Sequence, residues 1–410
     1  MGYPENLRAN SGPEDVALFA ALLRYSKWAP QNITAFTDDI RQKLIYTKDI
    51  FPSGAEIVFQ FEKESTLLEN IDLLVTPQAL ALPLGATFIR YVDYLTLACI
   101  ESFTWKYGGN TLQTYYPVSE WSKIQFLTDE HKENEQKLAL GNLSAAARNT
   151  YALAPTPMRI KIPTPWACCR NKAPVIAGLA NKLTLNIKFK TSPYFIETDG
   201  AKPQTINFSD IHLDYQAIHF TGKVRQELVS LTMTPQGLSY LFDDIALADL
   251  PIPANSFGPS KKVTLDLTQF DGPIRKFNII LRTESQLDPA NPLVAPYEID
   301  TTFLNGLNYR IVSNNMDIQD PYAANQDSIW QINKFYNGKY QVLQVQCLFE
   351  EFPEGGNIAS GSLDFSNYTS PKLILENALL PVHVPLIATV EAHRHNWLVH
   401  QRGNIQKVWR

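Results

Sequence analysis

The chain has 410 residues, which is long enough for two or three domains of ordinary size. Its hydrophobic fraction of 45% and charged fraction of 19% are typical of a soluble globular protein, while 27 prolines and 19 glycines indicate many turns between short elements. The net charge of −5 gives no global basic field for nucleic acid, whose phosphates are bound chiefly by lysine and arginine. We therefore expect no direct nucleic-acid binding.

The start of the chain predicts a protein that is made in the cytosol. Residues 1–5 lack the basic start and apolar core of a secretory signal, and no run of about 18 apolar residues occurs that would span a membrane. The four cysteines show no CxxC spacing, which favours buried thiols in a reducing compartment over a zinc site. They are Cys99, Cys168, Cys169 and Cys347.

An N-terminal arm, residues 1–30, is predicted to contain a short amphipathic helix. Ser11 and Glu14 have the spacing of a capping box, in which the serine oxygen accepts from a free backbone N–H and the glutamate reaches back. Apolar residues follow at Val16, Leu18, Phe19, Leu22 and Leu23. The helix is expected to dock either on its own domain or on a neighbouring subunit.

From Ile57 onward, the dominant signal is the alternation of apolar and polar residues, which predicts β-strands with one buried face. Residues 183–190 are the clearest case, with apolar side chains at odd positions and polar ones at even positions. Similar patterns occur at Ile57/Phe59/Phe61, Phe103/Trp105/Tyr107, Met158/Ile160/Ile162, Ile211/Leu213/Tyr215, Val263/Leu265/Leu267, Leu343/Val345/Cys347/Phe349 and Leu373/Leu375. Strands therefore dominate the prediction.

Turn signals separate these strands, as at Gly108-Gly109-Asn110, Thr198-Asp199-Gly200, Asp271-Gly272-Pro273 and Gly355-Gly356-Asn357. Many short strands with such turns are typical of a sandwich or barrel. Residues 128–147 interrupt the pattern with acidic residues followed by leucines and alanines, which predicts one helix inserted in a long loop.

A domain boundary is predicted near Thr221, before the helix-like segment of residues 224–228. It leaves residues 31–220 and 221–410 as two bodies, each large enough for one eight-stranded jelly-roll sandwich with short helices in its loops. The predicted fold class is thus all-β, with two jelly rolls in tandem. No residue-level repeat relates the two halves.

The sequence gives no catalytic motif. It lacks the GxSxG, GxxxxGK[ST], GxGxxG and HExxH signatures, which disfavours the common nucleophilic, nucleotide-binding and zinc-protease chemistries. A glycosidase needs only two carboxylates at a suitable separation, so 41 acidic residues leave that alternative open. We predict no catalytic residue, no cofactor and no metal site.

One polar cluster stands near the end of the chain. On a strand, His393 and His395 would share one face, where two imidazoles could bind a metal. The interpretation that we favour is a polar terminal strand at a subunit contact. Residues 394–410 are basic without any acidic residue, so they could meet an acidic partner surface or nucleic acid. The interleaved apolar residues 397–399 and 408–409 are typical of a strand, so we expect a solvated edge rather than contact with DNA.

Two stretches in the first half carry a family resemblance. The first stretch, residues 100–112, has the pattern of a strand, a Gly108-Gly109 turn and a second strand. It is followed by an acidic residue and a tryptophan in Ser119-Glu120-Trp121. Residues 165–171 resemble an aromatic-Arg-Asn turn that leads into the strand at 183–189. Both features resemble the major capsid proteins of nucleocytoplasmic large DNA viruses, the double-jelly-roll lineage.

The resemblance continues in order to the end of the chain. Residues 210–215 and 225–228 are similar to the last strand of the first domain and the interdomain helix of this family, and residues 270–277 to a Pro-centred turn. Residues 359–366 resemble its Ser-Gly-x-x-Asn/Asp-Phe-Ser run, and residues 396–403 its closing strand. The glycine-rich ending that is common in the family is replaced here by Asn404-Ile405-Gln406-Lys407-Val408-Trp409.

The resemblance implies a structural major capsid protein rather than an enzyme. Three chains would form a homotrimer with a pseudo-hexagonal outline, and these capsomers would tile the icosahedral shell of a double-stranded DNA virus. The implied partners are neighbouring capsomers and minor capsid proteins, with room for an inner membrane beneath the shell. Synthesis and assembly in the host cytoplasm would place the product in the virion, with its working surface at edges and loops.

Two other functional classes stay open at this point. One is a carbohydrate-binding or glycan-hydrolysing β-sandwich protein, which would need exposed aromatic side chains and paired carboxylates in a cleft. The other is a minor or scaffold shell protein of the same lineage, which would share the fold but be present in fewer copies.

Overall fold

The computed structural model describes residues 35–43, 50–61, 67–127, 129–165, 176–220, 222–298, 307–314, 316–318, 322–323, 342–346, 362–377 and 383–408. The predicted N-terminal helix, Cys168, Cys169 and Cys347, and the predicted turn at residues 355–357 lie outside these ranges.

The first half of the chain forms two main antiparallel sheets. Its strands are β1 (Ala35–Lys43), β2 (Ile50–Pro52), β3 (Glu56–Phe61), β4 (Leu67–Pro77), β5 (Ile89–Tyr91), β6 (Ile100–Tyr107), β7 (Asn110–Tyr115), β8 (Met158–Lys161), β9 (Leu183–Phe189), β10 (Ile196–Thr198) and β11 (Asn207–Phe220). One sheet has the order β1-β11-β4-β8, with β2 also pairing β11, and the other has the order β3-β9-β6-β7. Strands β5 and β10 form a separate two-stranded ribbon.

The second half also forms two sheets. Its strands are β12 (Leu238–Ile252), β13 (Lys262–Asp266), β14 (Pro273–Thr283), β15 (Asn308–Ser313), β16 (Met316–Asp317), β17 (Tyr322–Ala323), β18 (Leu343–Gln346), β19 (Leu363–Asp364), β20 (Lys372–Glu376), β21 (Leu386–Gln401) and β22 (Asn404–Val408). The orders are β12-β21-β14-β18 and β13-β20-β15-β16, and the short strands β19, β22 and β17 pair with β14, β21 and β15 respectively.

The same order of strands therefore occurs twice. Strands β1 and β12 open the two halves and pair with the long strands β11 and β21, and β4-β8 corresponds to β14-β18. In the other sheets, β3-β9-β6-β7 corresponds to β13-β20-β15-β16. This is the jelly-roll arrangement in each half, which confirms the predicted fold class. The count of eight strands per sandwich stays a prediction, because further short strands join these sheets.

The strands predicted from alternation are confirmed wherever the structure describes them. In β9, Leu183, Leu185, Ile187 and Phe189 are each no more than 1% exposed, because they face the core between the two sheets. The Gly108-Gly109 turn joins β6 to β7, and both glycines have positive φ (55° and 89°), which a glycine adopts without steric cost.

The helices lie in the connections between strands. They are α1 (Leu95–Ala98), α2 (Pro117–Gln125), α3 (Asp129–Leu138), α4 (Ala145–Leu153), α5 (Gly222–Met233) and α6 (Glu284–Leu287). The prediction of a single helix over residues 128–147 is wrong. Leu140 and Asn142 adopt left-handed backbone between α3 and α4 (φ 53° and 59°), and Ser144 caps α4 by accepting from Ala147 N at 3.2 Å.

Helix α5 connects the two halves, since β11 ends at Phe220 and β12 begins at Leu238. The second core lies between the two sheets of the second half, whereas the first core cluster extends beyond the first half. It includes Phe242, Tyr297, Leu398 and Ile405 of the second half. The two sandwiches therefore share apolar packing where they meet. Within the described residues, no helix is both long and apolar enough to cross a membrane.

Candidate functional site: the joint between the sandwiches

The sheet β12-β21-β14 buries both of its faces. Along β21, Val390 and Ala392 belong to the second core, while Glu391 and His393 point to the opposite face, where Glu391 contacts the first half; all four are at most 1% exposed. We use "the joint" for the polar contact that this second face makes. It consists of Asp243, Asn278, Glu391 and His393 of the second half and Ser122 of the first.

His393 lies at the centre of the joint. Its Nδ1 is 2.7 Å from Asp243 Oδ2, and its Nε2 is 3.0 Å from Asn278 Nδ2 and 3.7 Å from Glu391 Oε2. Strands β12, β14 and β21 each supply one neighbour, because these three strands are hydrogen-bonded side by side. The imidazole thus ties three strands together through their side chains.

Glu391 carries the contact to the first half. Its Oε2 accepts hydrogen bonds from Ser122 Oγ at 3.0 Å and from Asn278 Nδ2 at 3.2 Å. Ser122 lies on α2 and is separated from Glu391 by 269 residues, so this bond links the two sandwiches. A buried carboxylate with charged and hydrogen-bonding partners is costly to disrupt, because removal of one partner leaves the others unsatisfied.

The ionisation of the joint follows from these contacts. Burial disfavours the charged form of Asp243, but Arg275 and His393 outweigh it and hold the pKa of that carboxyl well below its usual range. Burial likewise acts against the charged form of Glu391, yet the neighbouring His393 imidazole and the hydrogen bond from Asn278 lower its pKa. Burial also opposes protonation of His393, but the Asp243 carboxylate raises its pKa above the ordinary value.

The adjacent residue, Asp244, neutralises the basic end of the chain. Its Oδ2 lies 2.9 Å from Arg394 Nη2, 2.7 Å from Lys407 Nζ and 3.1 Å from Asn396 Nδ2, and its side chain is 2% exposed. Arg394 also pairs with Asp271 at 2.7 Å. The predicted solvated basic edge is therefore wrong for Arg394 and Lys407, whose charges are paired within the chain.

A second charged contact links the halves elsewhere. The buried Glu197 accepts from Arg90 Nε at 2.6 Å and from Arg148 Nη1 at 2.5 Å. Arg148 Nη2 also lies 3.6 Å from Glu298 Oε1 in the second half. The arginine of α4 thereby contacts carboxylates of both sandwiches.

The hairpin β21–β22 makes a third contact. Its turn, Arg402-Gly403, has positive φ at both residues (49° and 72°), and the Gly403 carbonyl accepts from Tyr107 Oη at 2.6 Å and from Ala180 N at 2.8 Å. A Cβ on Gly403 would lie 2.8 Å from the Gly178 carbonyl oxygen, so only glycine fits without a shift. The tip of the hairpin is thus inserted among backbone groups of the first half.

The joint contains serine, histidine and aspartate, but not in the arrangement of a hydrolytic triad. Ser122 Oγ donates to Glu391 rather than to His393, and Ser122 and His393 are 0% and 1% exposed. A nucleophile must be hydrogen-bonded to its base and reachable by substrate. The geometry therefore fits a buried structural contact.

The structure locates the residues that the sequence singled out. Along β21, His393 and His395 occupy alternate positions and so share one face, as predicted. The prediction of a subunit contact is wrong for Glu391 and His393, because both are buried within the chain. The described residues include no group of three or more His, Cys, Asp or Glu placed to hold a metal ion. Cys99 is fully buried, which raises the pKa of its thiol to about 12 and confirms the predicted burial of this cysteine.

Asp243, Asn278 and Ser122 were not singled out from the sequence. They lie on three different elements, Asn278 being 113 residues and Ser122 269 residues from Glu391, and no local motif connects them. The only signal is the presence of polar residues within otherwise apolar strands, such as Asn278 in β14.

Three solved structures share this fold at low sequence identity. The PBCV-1 protein VP54, fitted into a cryo-EM reconstruction of the virophage Sputnik, is 11% identical, with 93% of this chain and 98% of that chain covered and a TM-score of 0.68. A chain of the quasi-atomic model of the PBCV-1 virus capsid is 12% identical, with coverage of 93% and 98% and a TM-score of 0.66. The Faustovirus major capsid protein is 10% identical, with coverage of 89% and 90% and a TM-score of 0.64.

No family model matches the sequence, and no curated protein does. The likeness to the solved structures extends over both halves of the chain, and it shows that the double-jelly-roll fold is common to all of them.

Proposed function

We propose that the chain is a structural shell subunit: the major capsid protein that forms trimeric, pseudo-hexagonal capsomers of an icosahedral double-stranded DNA virus. The observation that carries this proposal is the repeated jelly-roll order over the whole described chain, shared with chains of the PBCV-1 capsid and with the Faustovirus major capsid protein. Two similar sandwiches per subunit give six per trimer, which suits hexagonal tiling.

The joint supports a structural role. A subunit that fills a lattice needs its two sandwiches at a fixed angle, because the contacts made by one sandwich are set by the position of the other. The hydrogen bond from Ser122 to Glu391 and the ion pair between Arg148 and Glu298, together with the inserted hairpin tip at Gly403, hold the two halves of this chain in one orientation.

The domain organisation that we propose follows the two topological repeats. Residues 31–220 form the first jelly roll and residues 221–410 the second, with α5 at the start of the second body. Residues 1–30 form an arm that precedes both.

The partners follow from the shell role. The chain forms a homotrimer that contacts neighbouring capsomers and minor capsid proteins, through edges and loops rather than a pocket. It is made and assembled in the host cytoplasm, ends in the virion above an inner membrane where one is present, and performs no catalysis.

Native mass spectrometry of the purified protein tests the trimer. We expect a species with the mass of three 46.3 kDa chains, and negative-stain images of that species with six lobes. A chain that stays monomeric at micromolar concentration and binds glycans would overturn the proposal in favour of a carbohydrate-binding sandwich.

Counting the copies of the chain in purified particles tests whether it is the major shell protein or a minor one. The major subunit must be the most abundant protein of the particle. A low copy number would contradict the major role and indicate a minor or scaffold shell protein.

A further inference from the structure

A buried imidazole at a contact between two domains is a group whose charge can change near neutral pH. We propose that His393 is a proton-operated switch in the joint. When its imidazole gains a second proton, Nε2 stops accepting a hydrogen bond from Asn278 and donates toward Glu391, and the attachment of helix α2 to the second sandwich becomes tighter. This inference is independent of the proposed shell role.

The hydrogen bonds define the two states. A carboxylate can only accept, so Nδ1–H of His393 donates to Asp243 in both states. In the neutral ring Nε2 has a lone pair, which accepts from the Asn278 amide nitrogen 3.0 Å away. In the imidazolium Nε2 carries a proton and needs an acceptor, and the Glu391 carboxylate oxygen lies 3.7 Å away.

The change at Nε2 reaches the first half through Asn278 and Ser122. Asn278 Nδ2 lies 3.2 Å from Ser122 Oγ and 3.2 Å from Glu391 Oε2, and Ser122 Oγ donates to Glu391 at 3.0 Å. Once Nε2 no longer accepts, both N–H groups of the Asn278 amide donate to Ser122 Oγ and Glu391 Oε2, which strengthens the bonds around Ser122. Ser122 belongs to α2, so proton binding in the second sandwich alters a bond to the first.

The charges around His393 come from three strands. Strand β12 supplies Asp243, β14 supplies Arg275 and Lys276, and β21 itself supplies Glu391, whereas α2 contributes the uncharged Ser122. The two cations disfavour the imidazolium, and Arg275 is bound to Asp243 at 3.1 Å. The carboxylates of Asp243 and Glu391 favour the imidazolium. Although burial opposes protonation, the Asp243 carboxylate prevails, and the pKa of His393 is raised.

The direction of this shift fixes the pH dependence. Because the folded-state pKa of His393 is above its unfolded value, its contribution to stability is complete below the unfolded value of about 6.5 and is lost as pH rises through the folded pKa. The pKa values of Asp243 and Glu391 are lowered, so their contributions are present above about pH 4 and are lost as pH falls further. The joint is therefore tightest in mildly acidic to neutral solution.

Amide hydrogen exchange of the full chain, followed by mass spectrometry, tests the switch. After correction for intrinsic rates, we expect the α2 peptide to open several-fold more often at about pH 9 than at about pH 6. His393→Gln should remove most of this change. His383→Gln is the matched control, because His383 is exposed and bonds only to Asn255 among the described residues; it should behave as the wild type does.

A second measurement needs no variant. Deuterium exchange at the imidazole C2 position of His393 in the native chain reports its protonation across pH. We expect its midpoint to coincide with the change in α2 opening. The proposal is overturned if His393 shows no titration between about pH 5 and pH 9, or if α2 keeps the same protection throughout.

Discussion

The two faces of the sheet β12-β21-β14 are buried to the same extent but with opposite chemistry. Phe277 and Ala392 are cross-strand partners on the face toward the second core, whereas their neighbours Asn278 and Glu391 are partners on the face toward the first half. The apolar face tolerates any side chain of suitable volume, but the polar face requires each group to meet a particular partner. The first face therefore gives stability, and the second fixes how the sandwiches sit together.

The largest expected effect is on the apolar face. Phe277→Ala should lower the free energy of unfolding by about 4 kcal/mol, because Phe277 is 1% exposed and packs against Phe270 and Phe365 with ring centroids 5.7 Å and 5.2 Å away. Urea unfolding measures it. A loss of less than about 1 kcal/mol would contradict the assignment of Phe277 to a close-packed core.

The next effect is on the polar face of the same sheet. Glu391→Ala should cost about 3 kcal/mol, because it leaves the buried Ser122 hydroxyl and Asn278 amide without their shared acceptor. Hydrogen exchange should show that the loss of protection is largest in α2. If protection falls equally throughout the second core instead, Glu391 serves that core rather than the joint.

Gly403→Ala tests the inserted hairpin tip, with Gly109→Ala as its matched control. Both glycines have positive φ in hairpin turns, but a Cβ at Gly109 meets nothing within 4 Å, whereas one at Gly403 would meet the Gly178 carbonyl at 2.8 Å. We expect Gly403→Ala to be about 2 kcal/mol more destabilising than the control in thermal or urea unfolding. Equal effects would mean that the backbone strain alone matters and the insertion does not.

Ser122→Ala is the smallest change. It removes one hydroxyl from the joint and should cost about 1 kcal/mol, since Glu391 keeps its bonds from the second half. A double-mutant cycle with Glu391→Gln measures the coupling directly. Additive effects would show that the Ser122–Glu391 bond contributes nothing to the contact between the halves.

The same difference between faces explains which elements the sequence predicts. Strand β9 has one buried face and one wet face, so its alternation is visible in the sequence. Strand β14 is buried along nearly its whole length and carries Arg275, Lys276 and Asn278 among apolar residues, so it shows no period of two. Helix α2 begins at Pro117, a residue that favours the first helical position, but it has no side-chain cap, so only one of the two usual sequence signals for a helix start is present.

The joint itself could not be predicted from sequence. The cluster around residues 391–396 was visible as an unusual run of polar residues, but its position inside the chain depends on strands that are far apart in sequence. Paired charges such as Asp244 with Lys407 show no local pattern, because the long-range fold brings them together.

The insertion of the closing hairpin sets an order of events during synthesis. Tyr107 and Gly403, whose side chain and carbonyl are hydrogen-bonded, are separated by 296 residues. At the usual rates of translation, Tyr107 leaves the ribosome roughly 15–60 s before its partner exists. Leu398 and Ile405 also arrive late in the core cluster that they share with the first half. The first sandwich must therefore wait, incompletely covered, until the closing hairpin of the second has left the ribosome, and only then can the nascent chain complete this contact.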